Sequence, residues 1–590
     1  MKRRQLPEAL RASRLLLDDV EGVLLTEDFK WDEYEKCWTL RFRITIAEPS
    51  EVVPAVTDWF ALVDEMYPRG RMEIFPSNDG GLNETFPHQL LNIPDSSRRW
   101  RTGKICVDTP GFALARWTRT AEPMSTGRLK WHVERARGWV VAASEGNLRE
   151  KGDQFELPDI PTLGMPRIAF EESPEYLSSW TGPQRHGHVE FRHVPGGTIA
   201  ATRWLCSSTV VRETRWGPRI LKAPSAARGY WILLASMPIV PPFRWPLSWG
   251  ELSVSCGPDF LPTVRSLVAR ARPRTSVLLL GFPIPGKVGE EPKEIHWSAV
   301  QLGPFRAFKK GRTEDSLWER DRNEMFSDSA CIRWLPTENW HPDRLGARGR
   351  LVHKLRILRV CLLGAGALGS SVAELLVRGG VFDVTLVDSD RLIAPNLVRH
   401  TLTIEANRAS KAQALTERLN AVSPFANVRA VASMLPLDQA AAREVLAPFD
   451  LIVDCTANDD VIRVLGRIDF DDEKLFASAA VGRSSRRLYF FEAQSTCFPA
   501  ATFWRDTEPW FIDERAEVPD ATQFEGPGCW HPVFPAQATD LAMMAAVTVK
   551  RLERLAERLS DSKGELQVFE QAEDGDGFMR IQRVRGGKAS

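Results

Sequence analysis

Apolar and polar residues alternate with a period of two from Trp38 to Ile46 (WTLRFRITI), the pattern of a strand with one covered face. A second short strand is expected over Arg71 to Phe75. Gly127 to Ala143 (GRLKWHVERARGWVVAA) repeats at helical spacing instead and predicts an amphipathic helix that closes this first α+β part. A Pro-rich stretch near 157–166 marks a boundary. Residues 165–345 carry many short strand-like runs, such as Tyr230 to Ser236, amid frequent Trp and Pro. They predict a second α+β region with no recognisable chemistry, its indoles packing a core or an interface. From 355 onward the period switches regularly. Strands are expected at Leu355 to Leu363, Asp383 to Val387 and Asp450 to Thr456. Helices are expected at Ala367 to Arg378, Ser410 to Ala421, Asp460 to Ile468 and, after a loop, about Gln537 to Leu559. This alternation predicts an α/β domain with a parallel sheet covered by helices on both faces. The expected division is 1–155, 165–345 and 346–590.

Charge narrows the function classes. Lys plus Arg and Asp plus Glu both number 77 in 590 residues, so the formal net charge is zero. No basic excess points to nucleic acid, and the only basic run is the short start Lys2-Arg3-Arg4. No apolar run is long enough to cross a bilayer, and Pro7, Glu8, Arg11 and Arg14 interrupt any signal-peptide core. A cytoplasmic protein that engages neither membrane nor nucleic acid is expected. The nine cysteines (37, 106, 206, 256, 331, 361, 455, 497 and 529) include no Cys-x-x-Cys pair, which argues against structural zinc. In a reducing compartment they are buried small hydrophobes or reactive thiols.

Gly364-Ala-Gly366-Ala-Leu-Gly369 follows an expected strand and opens an expected helix. Glycines there permit a tight turn and close approach of backbone to phosphate, and the helix N-terminus adds donors and partial positive charge. Asp388 ends the next strand, where an acid binds ribose hydroxyls. By itself this is a dinucleotide fingerprint, and an NAD-dependent oxidoreductase is the default reading. The residues that follow favour another. Asn396, Arg399, Lys411 and Asp454 would bring amide and cationic groups, and an acid, to the same sheet end. A dinucleotide has no need of them. A triphosphate does, because its charge must be neutralised while a carboxylate attacks the α-phosphate. An Asp at the C-terminal end of a strand also suits Mg²⁺.

Over roughly 355–495 these residues resemble the ThiF/MoeB/ubiquitin-activating superfamily. The resemblance implies ATP and Mg²⁺ as cofactors. Gly364, Gly366 and Gly369 would cradle the nucleotide, Asp388 would bind ribose, Asn396, Arg399 and Lys411 the phosphates, and Asp454 the magnesium. His400 stands where the family often has Gln. The family also implies a homodimer in which an upstream arginine reaches the partner's ATP. Arg344 and Arg348 lie in such a segment (HPDRLGARGR), although a solvated basic loop is the plainer reading of either.

Two thiols are candidate acyl carriers. Cys529 lies in Glu525-Gly-Pro-Gly528-Cys529-Trp-His531-Pro532, where two glycines and two prolines mark a loop and His531 is a candidate base or cationic partner. The segment resembles the catalytic-cysteine loop of bacterial activating enzymes. Cys106 lies in Gly103-Lys-Ile-Cys106, downstream of Phe86-Pro87-His88-Gln89 and upstream of a helix bearing Trp139. Residues 1–150 thereby resemble a ubiquitin-conjugating domain. The His-Pro-Asn tripeptide of eukaryotic members is absent, leaving His88 or Asn92 as stand-ins for its oxyanion-stabilising role. Cys37, Cys361 and Cys455 sit in apolar runs and read as packing residues.

The whole arrangement is similar to the fused activating-and-conjugating proteins of bacterial CBASS antiphage operons. It implies adenylation of a cargo's C-terminal carboxylate, thioester capture on Cys529, transthiolation to Cys106 and delivery to a target amine, expected to be lysine. The expected cargo is a cGAS-like nucleotidyltransferase, primed in antiphage defence. A small ubiquitin-like protein in another bacterial operon is the alternative cargo. A sulfur-carrier adenylyltransferase and an NAD-dependent oxidoreductase remain as other readings, and the N-terminal 345 residues as a bare binding scaffold.

Overall fold

A computed structural model describes residues 5–107, 122–160, 162, 164–226, 229–269, 276–304, 322–482, 485–516, 524–525, 531–532, 536–557, 564–577 and 579–584. The chain packs as two compact units, 1–214 with 225–339, and 215–224 with 340–590. The stretches expected as a first and a second domain therefore share one unit, in which each keeps a sheet and a core of its own.

The N-terminal part opens with helix α1 (Glu8–Leu15). Strands β1 (Val23–Asp32), β2 (Cys37–Thr45), β3 (Val56–Val63) and β4 (Met72–Pro76) then form an antiparallel meander in that order. The alternation read in β2 has a direct cause. Trp38, Leu40, Phe42 and Ile44 point into the core, while Arg41 and Arg43 on the other face converge on Asp58 at 3.0 and 2.8 Å. Helix α2 (Arg128–Glu145) covers the core face, setting Trp139 edge-on to Trp59 at 6.1 Å. Gly146 ends it in the left-handed conformation, φ 73°.

The middle part is one mixed sheet. β5 (Arg167–Phe170), β6 (His186–Val194), β7 (Thr198–Cys206), β8 (Thr209–Glu213), β9 (Gly229–Leu233), β10 (Ser276–Pro285), β11 (Pro292–Leu302), β12 (Trp334–Leu335) and β13 (Thr337–Asn339) take the order β12-β11-β10-β9-β6-β7-β5-β13, with β8 on β7. Helices α3 (Trp249–Cys256) and α4 (Phe260–Val268) contribute to one core. In another, Trp180, Trp204, Trp231 and Trp297 pack together, with Trp180 and Trp297 at 5.1 Å. The indoles fill the interior, and the Nε1–H groups of Trp180 and Trp297 both donate to buried Glu172, at 3.2 and 3.1 Å.

The C-terminal unit has the predicted parallel sheet and extends it. β14 (Val360–Leu363), β15 (Asp383–Val387), β16 (Asn427–Val431), β17 (Leu451–Asp454) and β18 (Lys474–Val481) run parallel in the order β16-β15-β14-β17-β18. β19 (Arg487–Ser495), then β22 (Glu565–Glu573) and β23 (Met579–Val584), continue it antiparallel. Between them the short β20 (Phe524–Glu525) pairs with β21 (His531–Pro532). Helices α5 (Ala367–Arg378), α6 (Lys411–Leu419), α7 (Gln439–Leu446), α8 (Asp459–Leu465), α9 (Ala500–Ala516) and α10 (Ala538–Glu557) complete the unit.

One strand is shorter than the sequence suggests. The run expected from Leu355 is a strand only from Val360, and His353–Arg356 forms a helical turn. Lys354, Arg356 and Arg359 interrupt the apolar run, so just Val-Cys-Leu-Leu is left to be buried on both faces. Among the described residues, no helix is long and apolar enough to cross a membrane.

Candidate active site

β14 lies between β15 and β17, where the strand order reverses direction, so a crevice opens beyond its C-terminal end. The glycine loop sits in that crevice. Gly364 has φ +89°, and a Cβ there would meet the Cys455 carbonyl at 3.0 Å. Gly369 lets α5 pass against the loop, since a Cβ on it would lie 2.0 Å from the Gly364 oxygen. Gly366, the N-cap of α5, is different: a Cβ there would meet nothing within 4 Å. The helix N-terminus is thus open on the side where a phosphate would approach.

The peptide at Ala365 is held from both ends. Its N–H donates to Asp388 Oδ2 at 2.6 Å, while Asp388 Oδ1 accepts from the Asp390 N–H at 2.7 Å. Its carbonyl faces His400 Nε2 at 2.7 Å. His400 Nδ1 accepts from the Leu402 N–H at 3.1 Å, so the proton is on Nε2 and the ring is the donor to Ala365. Burial holds His400 below the usual imidazole range, which keeps that neutral form. His400 was not among the predicted site residues. Its signals were its place where the family often has Gln and its position next to Arg399, four residues after Asn396.

Two adjoining cavities of about 310 and 250 Å³ flank the loop. The first is lined by Gly364, Asp388 and Asp390, and by Met434 and Leu435, which offer an apolar wall. The second is lined by Asn396, Arg399, His400 and Leu541 of α10. Gly366, Lys411 and Cys455 line both. The Lys411 ammonium, largely buried, donates to Asp390 at 2.9 Å. The structure therefore brings Gly364, Gly366, Asp388, Asn396, Arg399 and Lys411 to one continuous space. An open helix N-terminus, a buried cation and an acid at the next strand end fit a nucleotide polyphosphate.

Asp454 is placed differently. It is 1% exposed and lines neither of these cavities. Its Oδ1 accepts from the Thr456 N–H and hydroxyl at 3.0 and 2.6 Å, and its Oδ2 from Ser478 at 2.8 Å. Burial pushes its carboxyl above the usual range. A cation would have to displace these donors, so this donor set does not fit Asp454 as a ready ligand for Mg²⁺. Among the described residues, no cluster of three or more His, Cys, Asp or Glu side chains is arranged to hold a metal.

The candidate thiol of the N-terminal part is half-buried on a segment running beside β4, bridged through Ile105 to Ile74 on one side and to Gln89 on the other. The Cys106 N–H donates to the His88 carbonyl at 2.9 Å, and His88 takes a left-handed φ of 58°. Its ring lies between Glu156, 3.2 Å from Nδ1, and the Leu148 carbonyl, 3.1 Å from Nε2. Asn92 is buried and committed to the fold: Nδ2 donates to the Leu82 and Glu84 carbonyls, both at 2.8 Å, and Oδ1 accepts from Arg101 at 3.0 Å. Neither side chain is thereby presented as an oxyanion donor. Cys529 lies outside the described residues. Arg344 and Arg348 are exposed. Cys37 and Cys361 are buried, their thiols pushed up to about 11 and about 12, as inert packing residues are.

Over 97% of its length, and 98% of the other protein's, the chain is 32% identical to the ATP-dependent ubiquitin transferase-like protein Cap2 of Enterobacter hormaechei subsp. hoffmannii. The chain belongs to the Cap2 family. Residues 146–340 match the Cap2 central linker domain and residues 341–552 the ThiF family. The sulfur carrier protein adenylyltransferase of Thermus thermophilus is 36% identical over 134 residues, 22% of this chain and 48% of that protein. E. coli MccB with succinimide aligns at 15% identity over 40% of this chain and 65% of that one, with a TM-score of 0.28. Like other Cap2-family proteins, then, the chain is an enzyme with a ThiF-type adenylating domain after a Cap2 linker.

Proposed function

We propose that this chain activates the C-terminal carboxylate of a cargo protein with ATP and conjugates it to a target amine. A carboxylate oxygen attacks the α-phosphorus, the bond to the β-phosphate breaks and pyrophosphate leaves. The Cys529 thiolate then attacks the acyl carbon and AMP leaves. The Cys106 thiolate displaces Cys529, and a target amine, a lysine, displaces Cys106 with formation of an amide. The observation that carries this reading is the continuous space in which Gly366, Lys411, Asn396 and Arg399 converge. Cys529 falls between α9 and α10, and Leu541 near the start of α10 lines that space, which is where an acyl acceptor is needed. Likeness to Cap2 along nearly the whole chain supports the ubiquitin-like transfer itself. To this we add a cGAS-like nucleotidyltransferase as cargo, in antiphage defence, and a homodimer in which Arg344 or Arg348 reaches the neighbouring nucleotide.

The test is a non-reducing gel of the protein co-expressed with its operon neighbours, with ATP and magnesium, for wild type, Cys529→Ala and Cys106→Ala. The expected result is a reductant-sensitive adduct lost in Cys529→Ala, and a second one lost in both variants. The mass of the adduct identifies the cargo and separates a nucleotidyltransferase from a ubiquitin-like protein. Normal conjugation by Cys106→Ala would remove the N-terminal thiol from the scheme. No adduct, together with tight NAD binding, would favour an oxidoreductase.

A further inference from the structure

A cleft of about 640 Å³ lies where the end of α2 and the loop before His88 meet the hairpin of β10 and β11. Its volume is that of a small-molecule site. All of its lining belongs to the compact unit 1–214 with 225–339, so it is no part of the nucleotide crevice.

The lining combines an apolar wall with one cation. Phe86, Pro87, Leu148, Phe155, Pro242 and Val288 supply the wall. Arg149 stands among them, its guanidinium over the Phe243 ring at 4.3 Å from the centroid. Among the described residues it has neither a hydrogen bond nor an ion pair. Withdrawing a guanidinium from water costs free energy that a stacked ring offsets only in part, so such a group is ordinarily paired. Burial accordingly holds Arg149 below the usual arginine range, with the charge of Glu156 pulling the other way. Glu156 itself is occupied by His88. Glu51 and Glu145 stand exposed at the rim, and α2 ends there with its carbonyls, which keeps the negative charge the cleft can accept down to one.

The same residues adjoin the contacts that hold Cys106. Phe86 and Pro87 lead directly into His88, whose carbonyl accepts from the Cys106 N–H at 2.9 Å. The Leu148 carbonyl faces His88 Nε2 at 3.1 Å. Phe155 precedes Glu156, whose Oε1 accepts from the His88 N–H at 3.0 Å.

We propose that this cleft binds a small organic carboxylate, one negative charge on an apolar body, and that filling it steadies the segment bearing Cys106. The planar guanidinium of Arg149 donates to the carboxylate, and the apolar wall covers the body. The site rests on its own geometry. Its use as a regulator of acyl transfer rests on Cys106 being the acyl carrier.

The experiment uses the full chain without ATP or cargo. Three probes share one ring system and differ in charge: naphthoate, naphthalenemethanol and naphthyl phosphate. Calorimetry should show naphthoate binding about tenfold or more tightly than the uncharged alcohol, the usual gain from a hydrogen bond to a charged group, with the phosphate weaker than naphthoate. Arg149→Gln should bind naphthoate and the alcohol alike, and Val288→Trp, which fills the cleft, should bind both poorly. With naphthoate at about ten times its dissociation constant, amide exchange at Cys106 should slow by about tenfold. Equal wild-type affinities for naphthoate and the alcohol overturn the anion site, whether or not the variants fold. Tighter binding of the phosphate than of naphthoate overturns the single charge. Undiminished naphthoate binding in both variants places it elsewhere. Binding with unchanged exchange at Cys106 overturns the coupling to the thiol. None of these measurements needs ATP, so a failure here is distinct from a failure of adenylation.

Discussion

The Cys106 N–H donates to the His88 carbonyl at 2.9 Å, and His88 is in turn held by Glu156, which accepts from its N–H at 3.0 Å and faces its Nδ1 at 3.2 Å. Residue 156 belongs to the stretch that matches the Cap2 linker, so the linker fixes the backbone beside the candidate thiol. Replacing Glu156 with Ala should loosen this segment by about 1.5 kcal/mol, the usual contribution of a hydrogen bond to a charged group. Hydrogen exchange should report this as roughly tenfold faster opening at Cys106. An unchanged rate would mean that β4 alone holds the segment.

The glycines of the loop should separate into two kinds. Gly369→Ala pushes a methyl against the Gly364 carbonyl and should cost about 3 kcal/mol of stability. Gly366→Ala meets no protein atom and should leave stability within about 0.5 kcal/mol while weakening ATP binding. Melting curves with and without ATP distinguish the two. Equal melting-point losses would contradict the open face at Gly366.

Lys411 donates to Asp390 at 2.9 Å and must share or exchange that partner when a phosphate arrives. Lys411→Ala should weaken ATP binding by about tenfold to a hundredfold, the range for losing a charge-assisted hydrogen bond. The ATP-dependent rise in melting temperature should shrink accordingly. A full rise in the variant would place the phosphates elsewhere.

Burial among the indoles raises the Glu172 carboxyl from 4.5 to about 8, against the opposing pull of Arg212 and the two indole N–H groups. The folded state therefore holds this proton more tightly than the unfolded chain. The resulting stability is complete below pH 4.5 and is lost as pH climbs toward 8, a change of a few kcal/mol. Glu172→Gln should flatten this part of the stability profile in denaturant titrations. A profile that keeps the wild-type slope would assign it to other groups.

Legibility in the sequence followed the range of the interactions. α5 and β15 have the bounds their periodicity predicts, because a strand, a glycine turn and a helix are written in adjacent residues. Asp388 was readable for the same reason. His400 was not, since its partner Ala365 lies 35 positions earlier and only the fold brings the two together. Asp454 shows both sides. Its place at a strand end was legible, but the hydroxyl that occupies its second oxygen comes from Ser478, one strand over. The antiparallel half of the sheet went unread: β18–β19 and β22–β23 pair as neighbours in the chain, but the pairing that joins them, Leu488 of β19 with Phe569 of β22, is made only by the fold.

Residues 215–224 are embedded in the linker stretch, yet they pack in the C-terminal unit. There Trp216 sits on Phe425 at 5.0 Å, and the Gly217 N–H donates to the Pro424 carbonyl at 2.7 Å. During synthesis this decapeptide leaves the ribosome some two hundred residues ahead of its partners and must wait for them. The adenylating unit therefore cannot finish folding from its own contiguous sequence. A fragment cut at the start of the ThiF match would leave Phe425 without its indole cover, and expression of that half alone should be rescued by supplying 215–224.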